Sequence, residues 1–256
     1  MKYYIADQVR QTLKQKGVLY YLLCTAVLCV VANVSMLAFR MIYGINDGSY
    51  GYNLLLFAEW CFVIPYYSTI FIVQIVFGKE CPNPRIRNKV TIGLKRIHLY
   101  LGQLFAEMIV AAFFCVAACG LFIGITYLFM FADHSIELWA IGDFLQKALI
   151  AIPLWIAGIA ISHMLFYVCK KKRYAYGLFA FFVVIVPRIV IIFAAQTFEN
   201  PVMIWFKNYI LLTPRFNELP YFYTLNIPQI IVASVVYTVL ACMIGIFAYN
   251  KKNTKG

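Results

Sequence analysis

The sequence contains few charged residues, and acidic residues are especially scarce. Charged side chains make up 12% of its 256 residues, and only 10 residues are Asp or Glu. Soluble domains carry about 25% charged residues, whereas hydrophobic residues here reach 64% of the chain. This composition excludes an ordinary soluble domain. It predicts an all-α, polytopic membrane protein whose long apolar runs are transmembrane helices.

The motifs of ATPases and of common membrane enzymes are also absent from the sequence. No G-x-x-x-x-G-K-[ST] motif occurs, and no polar segment is long enough for a nucleotide-binding domain, so we do not expect the chain to hydrolyse ATP itself. No paired carboxylates, His-x-x-x-His pattern or Ser/His arrangement falls within an apolar run. We therefore predict no catalytic residue, no metal site and no cofactor bound by this chain. An intramembrane enzyme is the less favoured alternative.

Six apolar runs are long enough to cross a hydrocarbon core of about 30 Å, which needs about 20 helical residues. They cover residues 17–39, 54–78, 99–132, 148–169, 174–198 and 227–249. Before them, residues 1–16 place Ile5, Val9 and Leu13 on one face of an amphipathic helix, which we expect to lie on membrane lipids at the interface. No boundary divides residues 1–256 into separate domains, so we predict a single transmembrane domain.

Basic residues are concentrated in alternate loops. Of the 22 Lys and Arg, only Arg40, Lys147, Lys207 and Arg215 fall in the other, outer set of segments, and Arg188 falls inside a span. Because loops rich in Lys and Arg stay on the cytoplasmic side, both termini are predicted to be cytoplasmic. The net charge of +12 then reflects membrane topology, and we expect no nucleic-acid partner.

The long polar interruption from Phe77 to Leu104 carries a single acid, Glu80, among many basic residues. Beyond two prolines it develops a helical apolar face, with Gly93 on the same side. The residues of that face are Ile86, Val90, Leu94 and Ile97. A short amphipathic helix at a membrane surface can rest on lipid, fill its own bundle or dock into the groove of another protein.

This stretch resembles the loop between the second and third membrane helices of bacterial ABC exporter permeases of the second type (ABC-2). Many Gram-positive members have a form close to E-x-x-x-G-T-I-R-N-K-L-x-x-G-x-x-R-x-x-I-Y-L-x-x-L in that loop. Pro84-Arg85 replaces Gly-Thr here, and Leu99 replaces Ile. The residues that match the pattern in register are Glu80, Ile86, Arg87, Asn88, Lys89, Gly93, Arg96, Tyr100, Leu101 and Leu104.

The resemblance implies a permease subunit whose loop is a cytoplasmic coupling helix docked on a separate ABC ATPase subunit, which would bind ATP-Mg. It also implies pairing with a second copy or a sister permease in the bacterial cytoplasmic membrane. The exported substrate would be an antimicrobial peptide, as in bacteriocin immunity, a drug or a lipid-like molecule. A non-transporting sensor or immunity scaffold predicts the same topology and stays open. The residues expected at the ATPase interface are Glu80, Ile86, Arg87, Asn88, Lys89, Val90, Gly93, Leu94 and Arg96.

Three charged residues inside the spans are candidates for the transport pathway or for structural ion pairs. Arg188 must pair, face water or snorkel to the interface, and Glu59 is a candidate partner because both should lie in the outer half of the membrane. Glu107 is expected near the cytoplasmic surface, as an interfacial carboxylate beside Arg96 or the basic loop in preference to a proton relay. We expect His163 to be a hydrogen-bonded packing residue.

The outer stretch 199–226 is too apolar to be a solvated loop. Asn200-Pro201 and Thr213-Pro214 each resemble an N-cap followed by a first-turn proline, which predicts two short helices. These helices either contribute to an aromatic belt at the interface or re-enter the membrane, as in members of the exporter class. The sequence leaves both alternatives open.

Overall fold

Nearly all of the chain that the structure describes is helical. The computed structural model describes residues 2–43, 50–77, 96–129, 138–169, 171–193, 201–221 and 226–252, and these ranges contain helices and no strand. The predicted coupling helix falls in the segment 78–95, which lies outside the described residues, and only Arg96 at its end begins a described helix.

Eleven α-helices and one π-helical segment are found in these ranges. Five stretches are long and apolar enough to cross a membrane, and the number rises to six if the bent pair α3 and α4 forms one span. A π-helical segment, Ala180–Ile185, joins α7 to α8. The α-helices are α1 (Lys2–Leu13), α2 (Lys16–Tyr43), α3 (Tyr50–Trp60), α4 (Val63–Phe77), α5 (Arg96–Phe129), α6 (Leu138–Val168), α7 (Lys172–Phe179), α8 (Val186–Ile192), α9 (Pro201–Tyr209), α10 (Thr213–Glu218) and α11 (Ile227–Lys252).

The second predicted span, 54–78, is not one straight helix. α3 and α4 meet at a short break with a bend of 56°. Pro65 lies in the first turn of α4, where a proline is tolerated, but a continuous helix would need its missing N–H to bond the carbonyl of Cys61. The amide of Ile64 bonds that carbonyl instead, at 2.8 Å. The proline thus accounts for the break that hydropathy alone did not indicate.

α6 begins at Leu138, well before the predicted start of the fourth span at residue 148. The sequence predicts the later start because Asp143 and Lys147 are charged, which is typical of an outer loop. Both residues lie on α6, one turn apart, and their side chains form an ion pair of 2.7 Å. Since paired charges cost less to bury than single ones, the helix continues through them.

α6 is the most buried of the long helices. Within its membrane-length window 61% of the residues are buried, against 11% to 22% in the other long helices. Its most extensive contacts are with α11 and α4. By contrast, α2 and α5 turn exposed apolar side chains outward, among them Val27, Leu28 and Val116. Apolar surface of this extent is typical of contact with lipid.

The N-terminal helix α1 packs against protein. Gln8 Nε2 donates a hydrogen bond to the Val76 carbonyl at 3.1 Å. Val9 packs against an apolar cluster that includes Val18 of α2 and Val110 of α5. The amphipathic helix predicted from the sequence is therefore present as a helix, and one of its sides contacts the bundle.

The two short helices predicted within 199–226 are present as α9 and α10. Thr213 does not act as the predicted N-cap, because its hydroxyl donates to the Val183 carbonyl at 3.4 Å. The α-helical partner of that carbonyl would be the N–H of residue 187, which is a proline and has none. The hydrogen bond links α10 to the fifth apolar stretch, Lys172–Ile192.

Gly158 gives a direct test of the packing between α6 and α4. A Cβ at this position would lie 2.8 Å from a ring carbon of Tyr66, and overpacking of this kind costs about 1–3 kcal/mol. We expect Gly158→Ala to lower the unfolding temperature of the purified protein in detergent by at least about 2 °C. Gly142→Ala on the same helix is the control, because its Cβ meets no atom within 4 Å. Equal losses in both variants would contradict the described contact.

Candidate functional site

One face of α5 carries a stripe of buried polar side chains at the end of the bundle where α4 ends and α5 begins. Tyr100, Gln103 and Glu107 are three and four residues apart, so they share this face. The exposed fraction of all three residues is 0%. We call these residues, together with His163 and Tyr167 of α6, the polar cluster.

Glu107 and His163 form the centre of the polar cluster. His163 Nδ1 is hydrogen-bonded to the carboxyl group of Glu107, at 2.9 Å from Oε1 and 2.8 Å from Oε2. Both side chains are fully buried. A lone carboxylate in such surroundings would cost several kcal/mol, and the contact with the imidazole compensates for part of this cost. The contact joins α5 to α6.

Aromatic rings surround the His163 imidazole. The ring centroid of Tyr100 lies 4.4 Å away, that of Tyr167 4.9 Å away and that of Phe77 5.6 Å away. Tyr100 and His163 meet edge to face, a favourable arrangement for aromatic pairs. Phe77 belongs to α4, so this helix also contacts the imidazole directly.

A second hydrogen bond links the same helices. The Tyr167 hydroxyl donates to Gln103 Oε1 at 2.9 Å. Within the described ranges, three buried polar atoms of the cluster have no hydrogen-bond partner, namely Gln103 Nε2, His163 Nε2 and the Tyr100 hydroxyl oxygen. Unsatisfied polar atoms in a protein interior are uncommon and tend to mark functional or strained positions.

α11 closes the polar cluster on one side. Gly245 lies so near the Tyr100 hydroxyl that any added Cβ would overlap it. One turn further along, Tyr249 packs edge to face against Tyr167, with ring centroids 5.0 Å apart. A residue larger than glycine at position 245 would therefore displace Tyr100 or move α11 away from α5.

Tyr4 of α1 packs against the hydrophobic core that includes Tyr100 and Tyr167. Burial is the main cause, and the nearby Glu107 carboxylate the second, of the rise of its pKa to about 12. The phenol is therefore neutral throughout the physiological pH range. Five helices, α1, α4, α5, α6 and α11, thus contribute residues to the polar cluster or its immediate neighbours.

An ion-pair network lies near the other end of α6, roughly 24 Å from His163 at 1.5 Å per residue. Lys147 Nζ lies 2.8 Å from Glu59 Oε2 and 2.7 Å from Asp143 Oδ2. It also donates to the Pro220 carbonyl at 3.5 Å. Since Glu59 belongs to α3 and Pro220 follows α10, one buried lysine joins three parts of the bundle.

The structure corrects two of the predicted environments of charged residues. Glu59 pairs with Lys147 and not with Arg188, which is exposed on α8 and has no ion-pair partner among the described residues. Glu107, predicted as an interfacial carboxylate beside Arg96 or the basic loop, is instead fully buried against His163. The prediction that His163 is a hydrogen-bonded packing residue is confirmed. The remaining predicted site residues, from Glu80 to Leu94, lie outside the described residues.

Sequence reasoning did not identify the polar cluster as a unit or Lys147 as the centre of a network. One signal was readable, because Tyr100, Gln103 and Glu107 fall on one face of an otherwise apolar helix. The partners on α6 could not be assigned without the packing of the helices. Among the residues that the structure describes, no three His, Cys, Asp or Glu side chains come together as metal ligands would.

No family model matches the chain, and no curated protein matches it either.

Replacing one or both members of the Glu107–His163 pair tests its role. Glu107→Leu or His163→Leu leaves a buried polar partner uncompensated, so we expect each to destabilise the protein by about 3–5 kcal/mol. The double variant removes both polar groups and should be clearly more stable than either single variant. Denaturant unfolding in detergent measures all three free energies. A double variant that loses the sum of the two single effects would rule out direct coupling.

Lys147 can be tested against an exposed lysine. Lys147→Met leaves Glu59 and Asp143 without their shared cation, and we expect a loss of about 3–5 kcal/mol in unfolding free energy. Lys171→Met changes an exposed residue and should stay within about 0.5 kcal/mol of the wild type. Thermal unfolding of the two purified variants gives the comparison. Similar stability of both would argue against a buried network at Lys147.

Proposed function

We propose that this chain is the membrane-spanning permease subunit of an ABC exporter of the ABC-2 type. In this proposal the segment 78–95 faces the cytoplasm and receives movement from a separate ATPase subunit. The proposal combines the resemblance of Glu80 to Leu104 to the family's coupling loop with the way in which that segment connects to the bundle.

One geometric observation carries the proposal. Phe77 lies immediately before the segment 78–95 and Tyr100 lies shortly after it, and both rings pack on the same imidazole, that of His163. A displacement of the segment would act on the two rings together. A movement of the segment 78–95 would therefore be transmitted through these two rings to the Glu107–His163 pair, as expected for a loop that couples an ATPase to a helix bundle.

The central position of α6 supports transmission across the membrane. α6 carries His163 near one end and Lys147 in the opposite half, and it makes its most extensive contacts with α11. A shift of this helix would change both the polar cluster and the ion-pair network. ATP binding to the ATPase subunit would then favour one of two packings of the bundle, and such a population shift can drive alternating access.

Orientation follows from charge in the same proposal. Both termini and the segment 78–95 are cytoplasmic, because basic residues are concentrated there. The ion-pair network of Lys147 then lies towards the outside. A second copy or a sister permease completes the transport pathway, and the ATPase supplies the ATP-Mg site that this chain does not provide.

Purification of the tagged chain from membranes of its native host tests the proposal. We expect a subunit with a G-x-x-x-x-G-K-[ST] motif to co-purify and to hydrolyse Mg-ATP. Arg87→Glu combined with Gly93→Leu should reduce the co-purified ATPase by roughly thirty-fold, because truncating or blocking a central contact costs about 2 kcal/mol or more. The variant should still insert into the membrane at normal levels.

Lys171→Glu is the matched control, since it reverses a charge in another loop predicted to be cytoplasmic. It should leave co-purification unchanged. If the wild-type chain carries no ATPase even after chemical cross-linking, the permease assignment fails and the sensor or scaffold reading takes its place. If the ATPase stays bound to the Arg87 and Gly93 variant, the segment 78–95 is not the coupling site.

A further inference from the structure

α1 and α5 border an open apolar groove on the surface of the bundle, with a volume of about 640 Å³. Its apolar lining includes Ile5, Val9 and Leu13 of α1 and Ile109 of α5. The three residues of α1 are spaced by four, so they form one face of that helix. Ile109 remains 48% exposed within a helix of membrane-spanning length. The groove is therefore open towards the surroundings of α5.

The groove lies at the level where the first apolar span begins. Val9 packs against the cluster that contains Val18 and Val110, next to Ile109. Gly17 lies against Ile75 of α4, since a Cβ there would be 3.3 Å from that side chain. Because apolar residues of α2 start at this level, the groove meets the zone in which lipid headgroups give way to acyl chains.

Two cations flank the apolar lining. Arg10 and Lys14 both line the groove, are exposed and lie one helical turn apart. Neither forms an ion pair with another described residue, and the Asp7 carboxylate accepts hydrogen bonds from Gln11 at 2.8 and 2.9 Å. Like charges at this spacing destabilise a helix slightly. An anion bound between Arg10 and Lys14 would attract both side chains and offset their mutual repulsion.

We propose that this groove binds one anionic phospholipid, whose phosphate lies between Arg10 and Lys14 and whose acyl chain lies on Ile5, Val9 and Ile109. The charge of the rim matches a phosphate-bearing headgroup, the lining matches a hydrocarbon chain, and both occur at the depth where a phospholipid presents them in this order. This site is independent of the proposed transport function. Because Tyr4 of α1 packs against the hydrophobic core that includes Tyr100 and Tyr167, the lipid would hold α1 in place beside the polar cluster.

Native mass spectrometry of the purified chain titrated with phosphatidylglycerol or phosphatidylcholine tests this proposal. We expect tighter binding of phosphatidylglycerol. Arg10→Gln combined with Lys14→Gln should weaken that binding roughly thirty-fold, which corresponds to about 2 kcal/mol for two cations near a membrane surface. Ala6→Trp fills the groove while both charges remain, and it should also weaken binding at least about tenfold.

Two controls separate this site from general attraction of a basic surface to lipid. Lys171→Gln combined with Arg173→Gln removes the same charge from exposed residues outside the groove and should change binding less than about twofold. Ile109→Trp fills the groove from α5, and it replaces Ala6→Trp as the test variant if Ala6→Trp lowers the unfolding temperature. The proposal would be overturned if the two double charge variants lost phosphatidylglycerol affinity equally. It would also be overturned if a folded tryptophan variant bound phosphatidylglycerol as tightly as the wild type.

Discussion

The contact between Glu107 and His163 constrains how the helices of this bundle can pack. Both side chains are fully buried, and a buried polar group is costly to leave without a partner. α5 and α6 can therefore slide or rotate against each other only at the cost of exposing an uncompensated carboxylate to apolar surroundings. Once this register is set, Tyr100 meets Gly245 of α11 and the end of α4 meets His163.

The opposite end of α6 follows the same physical rule with different groups. Lys147 is buried between two carboxylates and a backbone carbonyl, so α3 and the residues after α10 are fixed relative to α6. Between these two ends, Gly158 allows Tyr66 of α4 to approach the α6 backbone closely. The central helix is thus held by polar contacts at its ends and by close apolar packing between them.

Long apolar runs and the helical class could be predicted from the sequence because hydropathy reports directly on burial in lipid. The bend at Pro65 and the extension of α6 through Asp143 and Lys147 could not, since each depends on whether a freed carbonyl or a charge finds a partner in space. For the same reason the sequence makes Arg188 a candidate partner of Glu59, because both are expected in the outer half of the membrane, although Lys147 is the residue that reaches Glu59. The polar stripe on α5 could be recognised from the spacing of its residues, but its partners on α6 could be identified only from the tertiary structure.

The separation of Glu107 and His163 along the chain also matters while the protein is being made. The two residues are 56 positions apart, so at 5–20 residues per second the ribosome needs roughly 3–11 s to synthesise the second after the first. During that interval α5 carries a carboxylate whose partner does not yet exist. The interval between the synthesis of Glu59 and that of Lys147 is longer still, because Lys147 lies 88 positions later. Final packing of these helices is therefore a late step of membrane insertion, set by the arrival of α6.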